Sequence, residues 1–196
     1  YYNKDNSLYE KGEWDNDYRK GLHYIYYDNG QLKFKGYFDY DKKGKGKEYW
    51  ENGNVKEVGV YSSGALTGKG KRYFSDGKIK EDGEFSYGYF RKGTKYLEDG
   101  EIIVGEFLNN KLHGKCTIYW AKGKKKSVGN WEDGRQNGLF TNYYSNGKPS
   151  FKGMYKNGLK NGPGTEYCLT GKIHLKGYWY NGNYIGKVPH QTLEQK

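Results

Sequence analysis

The stretch Tyr26-Tyr27-Asp28-Asn29-Gly30-Gln31-Leu32-Lys33-Phe34-Lys35-Gly36-Tyr37-Phe38 holds one cycle of the pattern that decides the fold. A tyrosine is followed four residues later by a glycine, then by a second glycine, and two residues beyond that by an aromatic ring. The cycle returns every 23 or 24 residues, with its tyrosine at Tyr2, Tyr26, Tyr49, Tyr73, Tyr96, Tyr119, Tyr143 and Tyr167. The first glycine is Gly30, Gly53, Gly77, Gly100, Gly123, Gly147 and Gly171, with Asn6 in the opening repeat. The second is Gly12, Gly36, Gly59, Gly83, Gly105, Gly129, Gly153 and Gly177, and the ring after it is Trp14, Phe38, Tyr61, Phe85, Phe107, Trp131, Tyr155 and Trp179. A further turn carries Gly64, Gly88, Gly134, Gly158 and Gly182, replaced elsewhere by Asp17, Asp41 and Asn110. Asn and Asp are the residues that best stand in for glycine in the left-handed region. Self-similarity at such a period marks a repeat array.

Each cycle reads as strand, tight turn, strand, looser turn. A two-residue type I′ loop at the tight turn needs positive φ at both central positions, whereas a three-residue loop with a bulge needs it only at the glycine. Lys122 and Thr170 precede that glycine in two repeats, and a β-branched Thr at positive φ is strained. The three-residue loop is therefore favoured, pairing Tyr26 with Leu32 and Tyr27 with Gln31. Strict alternation then puts Tyr26, Leu32, Gly36 and Phe38 on one face, where rings lie over bare glycine. A second stripe of Tyr27, Trp50, Phe74, Trp120 and Tyr144, with Leu97 and Cys168 in the same slot, is expected on the opposite face. The expected fold is all-β: an elongated solenoid or ribbon of about eight tandem antiparallel β-hairpins over residues 1–188, followed by a tail, 189–196. Sixteen strands at about 4.8 Å spacing extend roughly 70–80 Å.

The composition fits a thin core. Only 34% of the 196 residues are hydrophobic and the net charge is +11, values that lean toward disorder, but 18% are aromatic, the residues that disordered segments lack. No apolar run approaches the roughly 18–20 residues of a membrane span. The chain starts at Tyr1 rather than Met. A cytoplasmic location is expected, with a secreted or periplasmic one left open. Cys116 and Cys168 stand at non-equivalent repeat positions, so no disulfide is expected.

Catalytic chemistry finds no support in the pattern. His23, His113, His174 and His190 are spread along the chain, whereas a metal site needs converging ligands. They are expected to be exposed or half-buried. Asp76, Glu98, Asp99 and Asp133 fall in turns, which turn chemistry explains. No cofactor is implied.

The basic surplus says more. Lys122, Lys124, Lys125 and Lys126 cluster around one tight turn, Lys42, Lys43, Lys45 and Lys47 form a second group, and Lys69, Lys71 and Arg72 a third. They serve solubility, or attract an acidic protein or an anionic membrane surface. Nucleic acid is disfavoured, because none of its usual binding signatures is present. The stripe of Tyr27, Trp50, Phe74, Trp120 and Tyr144 is either a second packed layer or an exposed recognition surface. Choline- and glucan-binding repeats also alternate glycine with aromatics, but they need aromatic cages. Self-association through the array ends stays open.

The stretch Val104-Gly105-Glu106-Phe107-Leu108-Asn109-Asn110-Lys111-Leu112-His113-Gly114-Lys115 resembles the core of the MORN repeat (membrane occupation and recognition nexus). Tyr143-Tyr144-Ser145-Asn146-Gly147-Lys148, followed by Lys152-Gly153-Met154-Tyr155-Lys156-Asn157-Gly158, resembles its bacterial variant with the Y-Y-x-N-G signature. The resemblance covers residues 1 to about 188. It implies a non-catalytic scaffold that binds a protein or acidic phospholipid, and the variant implies an antitoxin-like neutralisation of a partner protein. The chain departs from the pattern in an irregular turn near Asp39 to Gly46 and in lacking the His-Gly pair in most repeats.

Overall fold

The computed structural model describes residues 1–2 and 8–187. Asn6, His190 and the expected tail, 189–196, lie outside the described residues. The chain divides into two compact units, Tyr1–Lys95 and Tyr96–Lys196. The first four hairpins are β1 (Glu10–Asp15) with β2 (Tyr18–Tyr26), β3 (Leu32–Asp39) with β4 (Lys42–Tyr49), β5 (Val55–Ser62) with β6 (Ala65–Tyr73), and β7 (Ile79–Ser86) with β8 (Tyr89–Tyr96). The remaining four are β9 (Ile102–Leu108) with β10 (Lys111–Tyr119), β11 (Lys125–Glu132) with β12 (Arg135–Tyr143), β13 (Pro149–Lys156) with β14 (Leu159–Tyr167), and β15 (Ile173–Tyr180) with β16 (Asn183–Gly186). The strands run in sequence order through one open antiparallel sheet. This is the all-β architecture of tandem hairpins that the repeat implies.

The tight turns between hairpins are three-residue loops. The Tyr27 N–H donates to Gln31 O at 2.8 Å and the Gly30 N–H to Tyr27 O at 2.9 Å, and the same pair of bonds recurs from Trp50 to Cys168. Gly171 takes φ of 93° while Thr170 is not at positive φ, so the branched residue escapes strain as expected. The other turn is not loose. Asn16-Asp17, Tyr40-Asp41, Ser63-Gly64 and their counterparts have positive φ at both positions, the two-residue type I′ geometry that matches the twist of the flanking strands. It is the tighter of the two, and the Tyr40-Asp41 turn conforms despite the irregular sequence around it.

The expected faces need correction. Tyr26 does pair with Leu32, but the next pair is Ile25 with Phe34, which leaves Lys33 as an extra residue. The same skip leaves out Lys56, Lys80, Lys126, Ser150 and His174. Each is a β-bulge, which breaks the two-residue alternation. Counting past Lys33 therefore transfers Tyr26 to the wrong face. Gly36 and Phe38 lie on the ring-lined face with Phe34 and His23, whereas Tyr26 lies on the other. The second strands have register shifts of their own toward their hairpin partners, but no extra residue on the stretch that leads into the three-residue loop. Along it Tyr27 has the parity of His23, Trp50 that of Gly46, and Trp120 that of Cys116. The stripe thus shares the ring-lined face instead of opposing it.

The rings cover glycine as expected, but many come from positions the repeat pattern did not single out. A Cβ on Gly129 would lie 2.5 Å from the Phe140 ring, and one on Gly153 would lie 2.7 Å from Phe151. In the second unit Phe140, Phe151, Tyr155 and Trp179 form a buried cluster, joined by Trp131, Leu175 and Tyr184. In the first unit the position two residues before the second glycine carries Glu10, Phe34, Glu57 and Glu81, all buried. Arg19 Nε and Nη2 donate to the Glu10 carboxylate at 2.6 and 2.8 Å. Arg72 bridges Glu57 at 2.9 Å and Glu81 at 3.5 Å. His23 is fully buried, contrary to expectation, because a glycine-sized space faces it: a Cβ on Gly12 would lie 2.3 Å from its ring. Its Nε2 faces the Glu13 carbonyl at 2.6 Å and its Nδ1 faces Glu10 at 2.8 Å. A carbonyl can only accept, so Nε2 carries a proton.

Burial pushes the hydroxyls of Tyr61 and Tyr155 upward, Tyr61 most strongly. The unfolded chain therefore releases these protons first, near about pH 10. The stabilisation is complete below that value and is lost as pH rises through the higher folded values. The urea midpoint should drop between about pH 8 and about pH 11, and Tyr61→Phe should shrink the drop. An identical drop in Tyr61→Phe would contradict this assignment.

Candidate functional site

The bulges determine where one set of lysines points. An extra residue in a strand re-aims its side chain. The Lys33 ammonium lies 5.3 Å from the Tyr27 ring centre, Lys56 5.1 Å from Trp50, Lys80 5.4 Å from Phe74 and Lys126 4.5 Å from Trp120. Cations at such distances are held by the ring quadrupole. Four of the five aromatics expected to bind a partner thus carry a lysine. The fifth, Tyr144, and also Tyr27, use their hydroxyls differently: they donate to the carbonyls of Tyr167 and Tyr49 in the next repeat, at 2.6 and 2.8 Å. All five rings are half-buried. Burial raises the Tyr27 hydroxyl, helped by Glu51 and Glu48. The indole nitrogens of Trp50 and Trp120 are buried without a hydrogen-bond partner among the described residues.

Lys33 and Lys80 are exposed and form no ion pair among the described residues, while Lys56 lies 3.8 Å from Glu48. The spacing of six residues from ring to lysine, repeated four times, was the sequence signal for this ladder.

The expected lysine cluster divides. Lys122, Lys124 and Lys125 are exposed, but Lys126 is bound to Glu101 as well as resting on Trp120. Lys124 Nζ donates to Asn146 O at 3.0 Å and Lys148 Nζ to Thr170 O at 2.6 Å, so each reaches the next loop. Lys148 and the equivalent Lys172 are thereby added to the basic loop edge. Among the described residues no group of three or more His, Cys, Asp or Glu side chains could hold a metal ion. Both cysteines are free, and burial raises the Cys116 thiol.

Tandem hairpins bearing cations and rings at one repeat interval define a repeat-built binding module. The MORN repeat model matches residues 104–125 and 151–172. The MORN repeat variant model matches residues 19–40, 42–62, 66–87 and 136–157. Together they cover more than half of the chain, which belongs to the MORN-repeat family. MORN repeats are non-catalytic modules that bind proteins or membranes. A search of curated proteins gave no match.

Proposed function

We propose that the chain is a scaffold without catalytic activity that binds an acidic partner protein. The observation that supports this most is the ladder of Lys33, Lys56 and Lys80 on Tyr27, Trp50 and Phe74. A cation resting on a ring keeps its charge on offer while its stem is already ordered, which lowers the entropy cost of pairing. A toxin neutralised by an antitoxin-like scaffold is one such partner, and the match to the variant repeat is in keeping with it. The test is capture by the immobilised full chain from its native cells, beside Lys33→Gln/Lys56→Gln/Lys80→Gln. Exposed pairs contribute about 0.2–1 kcal/mol each, so the triple variant should hold the partner about tenfold more weakly. The partner should also elute near about 1 M salt, where the Debye length is about 3 Å. Capture unaffected by salt and by the triple variant, or turnover of a substrate by the chain, would overturn the reading.

A second reading has its own observation. Leu169 and Ile173 are each 59% exposed beside the basic loops, and apolar tips among lysines suit an anionic phospholipid surface. In that reading Lys122, Lys124 and Lys125 carry the attraction, and Lys126 contributes less because Glu101 already neutralises it.

A further inference from the structure

The charge along the three-residue loops is not uniform. Those at 28–30, 51–53, 75–77 and 98–100 carry Asp28, Glu51, Asp76, Glu98 and Asp99, whereas those at 121–123, 145–147 and 169–171 contain no acid. The residue following the loop glycine is Lys124, Lys148 and Lys172 in these last three repeats. Two of these side chains lie along the edge rather than away from it, because Lys124 and Lys148 each donate to the next loop's carbonyl. An ammonium has three donors, so one such bond leaves two for a ligand. Lys122 and Lys125 flank the row, and Lys122, Lys125 and Lys172 make no ion pair among the described residues.

We infer that this edge of the second unit binds an extended acidic polypeptide segment laid across the loops, with a carboxylate at every third residue. Equivalent side chains in successive hairpins are two strands apart, about 9.6 Å at about 4.8 Å per strand. An extended chain advances about 3.3 Å per residue, so every third residue advances about 10 Å. Lys124, Lys148 and Lys172 therefore match carboxylates at positions i, i+3 and i+6 of one strand. Third residues do not all point the same way in a flat strand, and a polyproline-like segment, with three residues per turn and about 3.1 Å rise, aligns them on one side. The row is preordered for a linear ligand, whereas a membrane needs no such spacing. The exposed Leu169 at the end of the row offers an apolar contact for one residue of the segment.

This inference rests on the acidic-partner reading, and the test separates the two. Fluorescence anisotropy would compare two labelled peptides of equal composition binding to the full chain. One is proline-rich with Glu at every third position, and the other has the same Glu residues in one block. The spaced peptide should bind about tenfold more tightly, the effect of three exposed pairs. That preference should vanish in Lys124→Gln/Lys148→Gln/Lys172→Gln and survive in Lys33→Gln/Lys56→Gln/Lys80→Gln. Equal binding of the two peptides, or a preference insensitive to the first triple variant, would overturn the inference while leaving an acidic partner on the first unit untouched. Binding of vesicles containing phosphatidylserine, lost in the first triple variant while neither peptide binds, would also overturn it in favour of the membrane.

Discussion

Phe140→Ala is expected to lower the stability of the second unit by about 3–5 kcal/mol, the cost of removing a large buried aromatic. The Phe140 ring is 1% exposed. It packs against Trp131 and Tyr155 with ring centres 5.5 and 5.4 Å apart. On its two flanks across the sheet stand Gly129 and Gly153, so neither residue paired with it has a side chain to fill the space. Lys125→Ala, at the exposed first position of β11, should stay within about 0.5 kcal/mol of the parent. A urea melt of both variants measures the difference. Equal midpoints would mean that the ring does not close the core over these glycines.

Arg72→Ala is expected to cost about 3–5 kcal/mol in the first unit, because it strips a partner from two buried carboxylates. Glu57 and Glu81 are 9% and 5% exposed. The guanidinium lies 2.9 Å from the first and 3.5 Å from the second, and 4.8 Å from the Phe85 ring centre. Glu81 keeps Lys95 at 3.0 Å, so the loss falls mainly on Glu57. Adding Glu57→Gln to Arg72→Ala should recover part of the stability, since a neutral amide costs less to bury than a charge. A double variant no more stable than Arg72→Ala would show that the loss comes from packing and not from the uncompensated charge.

The two kinds of core differ for a reason visible in the residues. Where the position two residues before the second glycine is Phe34 or Phe151, its ring fills the space over the glycines. Where it is Glu57 or Glu81, an arginine from the neighbouring strand completes the layer and Leu66 or Phe90 takes the apolar role, both buried. A chain with few aliphatic residues thus builds a layer one ring thick from each hairpin.

Repeat length, strand count and the three-residue loop were legible because glycine, Thr170 and the period constrain the backbone locally. The face of the stripe was not, since alternation carries no record of a bulge. One repeat did hold the clue. Gly100 and Gly105 are five residues apart where the equivalent glycines elsewhere are six apart, so one residue is dispensable between them. That residue is Ser150 and His174 in two of the other repeats and Lys33, Lys56, Lys80 and Lys126 in four, these lysines being the very side chains that lie over the stripe. The burial of His23 was hidden for a related reason. Its space is made by Gly12 on another strand and its ring nitrogens face Glu10 and the Glu13 carbonyl on that same strand, so nothing in its own neighbourhood announces it. The basic loop edge was half legible: Lys122, Lys124 and Lys125 stand together in sequence, whereas Lys148 and Lys172 join them only when the loops are stacked.

Carbodiimide coupling tests the binding role most directly, because it joins a lysine amine to a carboxylate only where the two touch. The full chain would be coupled in an extract of its native cells, and the joined residues mapped by mass spectrometry. The expected result is that Lys33, Lys80, Lys124 and Lys148 couple to Asp and Glu residues of one acidic protein, and that the products disappear near about 1 M salt. Coupling confined to carboxylates of the chain itself, or spread without preference over many proteins and unchanged by salt, would contradict an acidic partner.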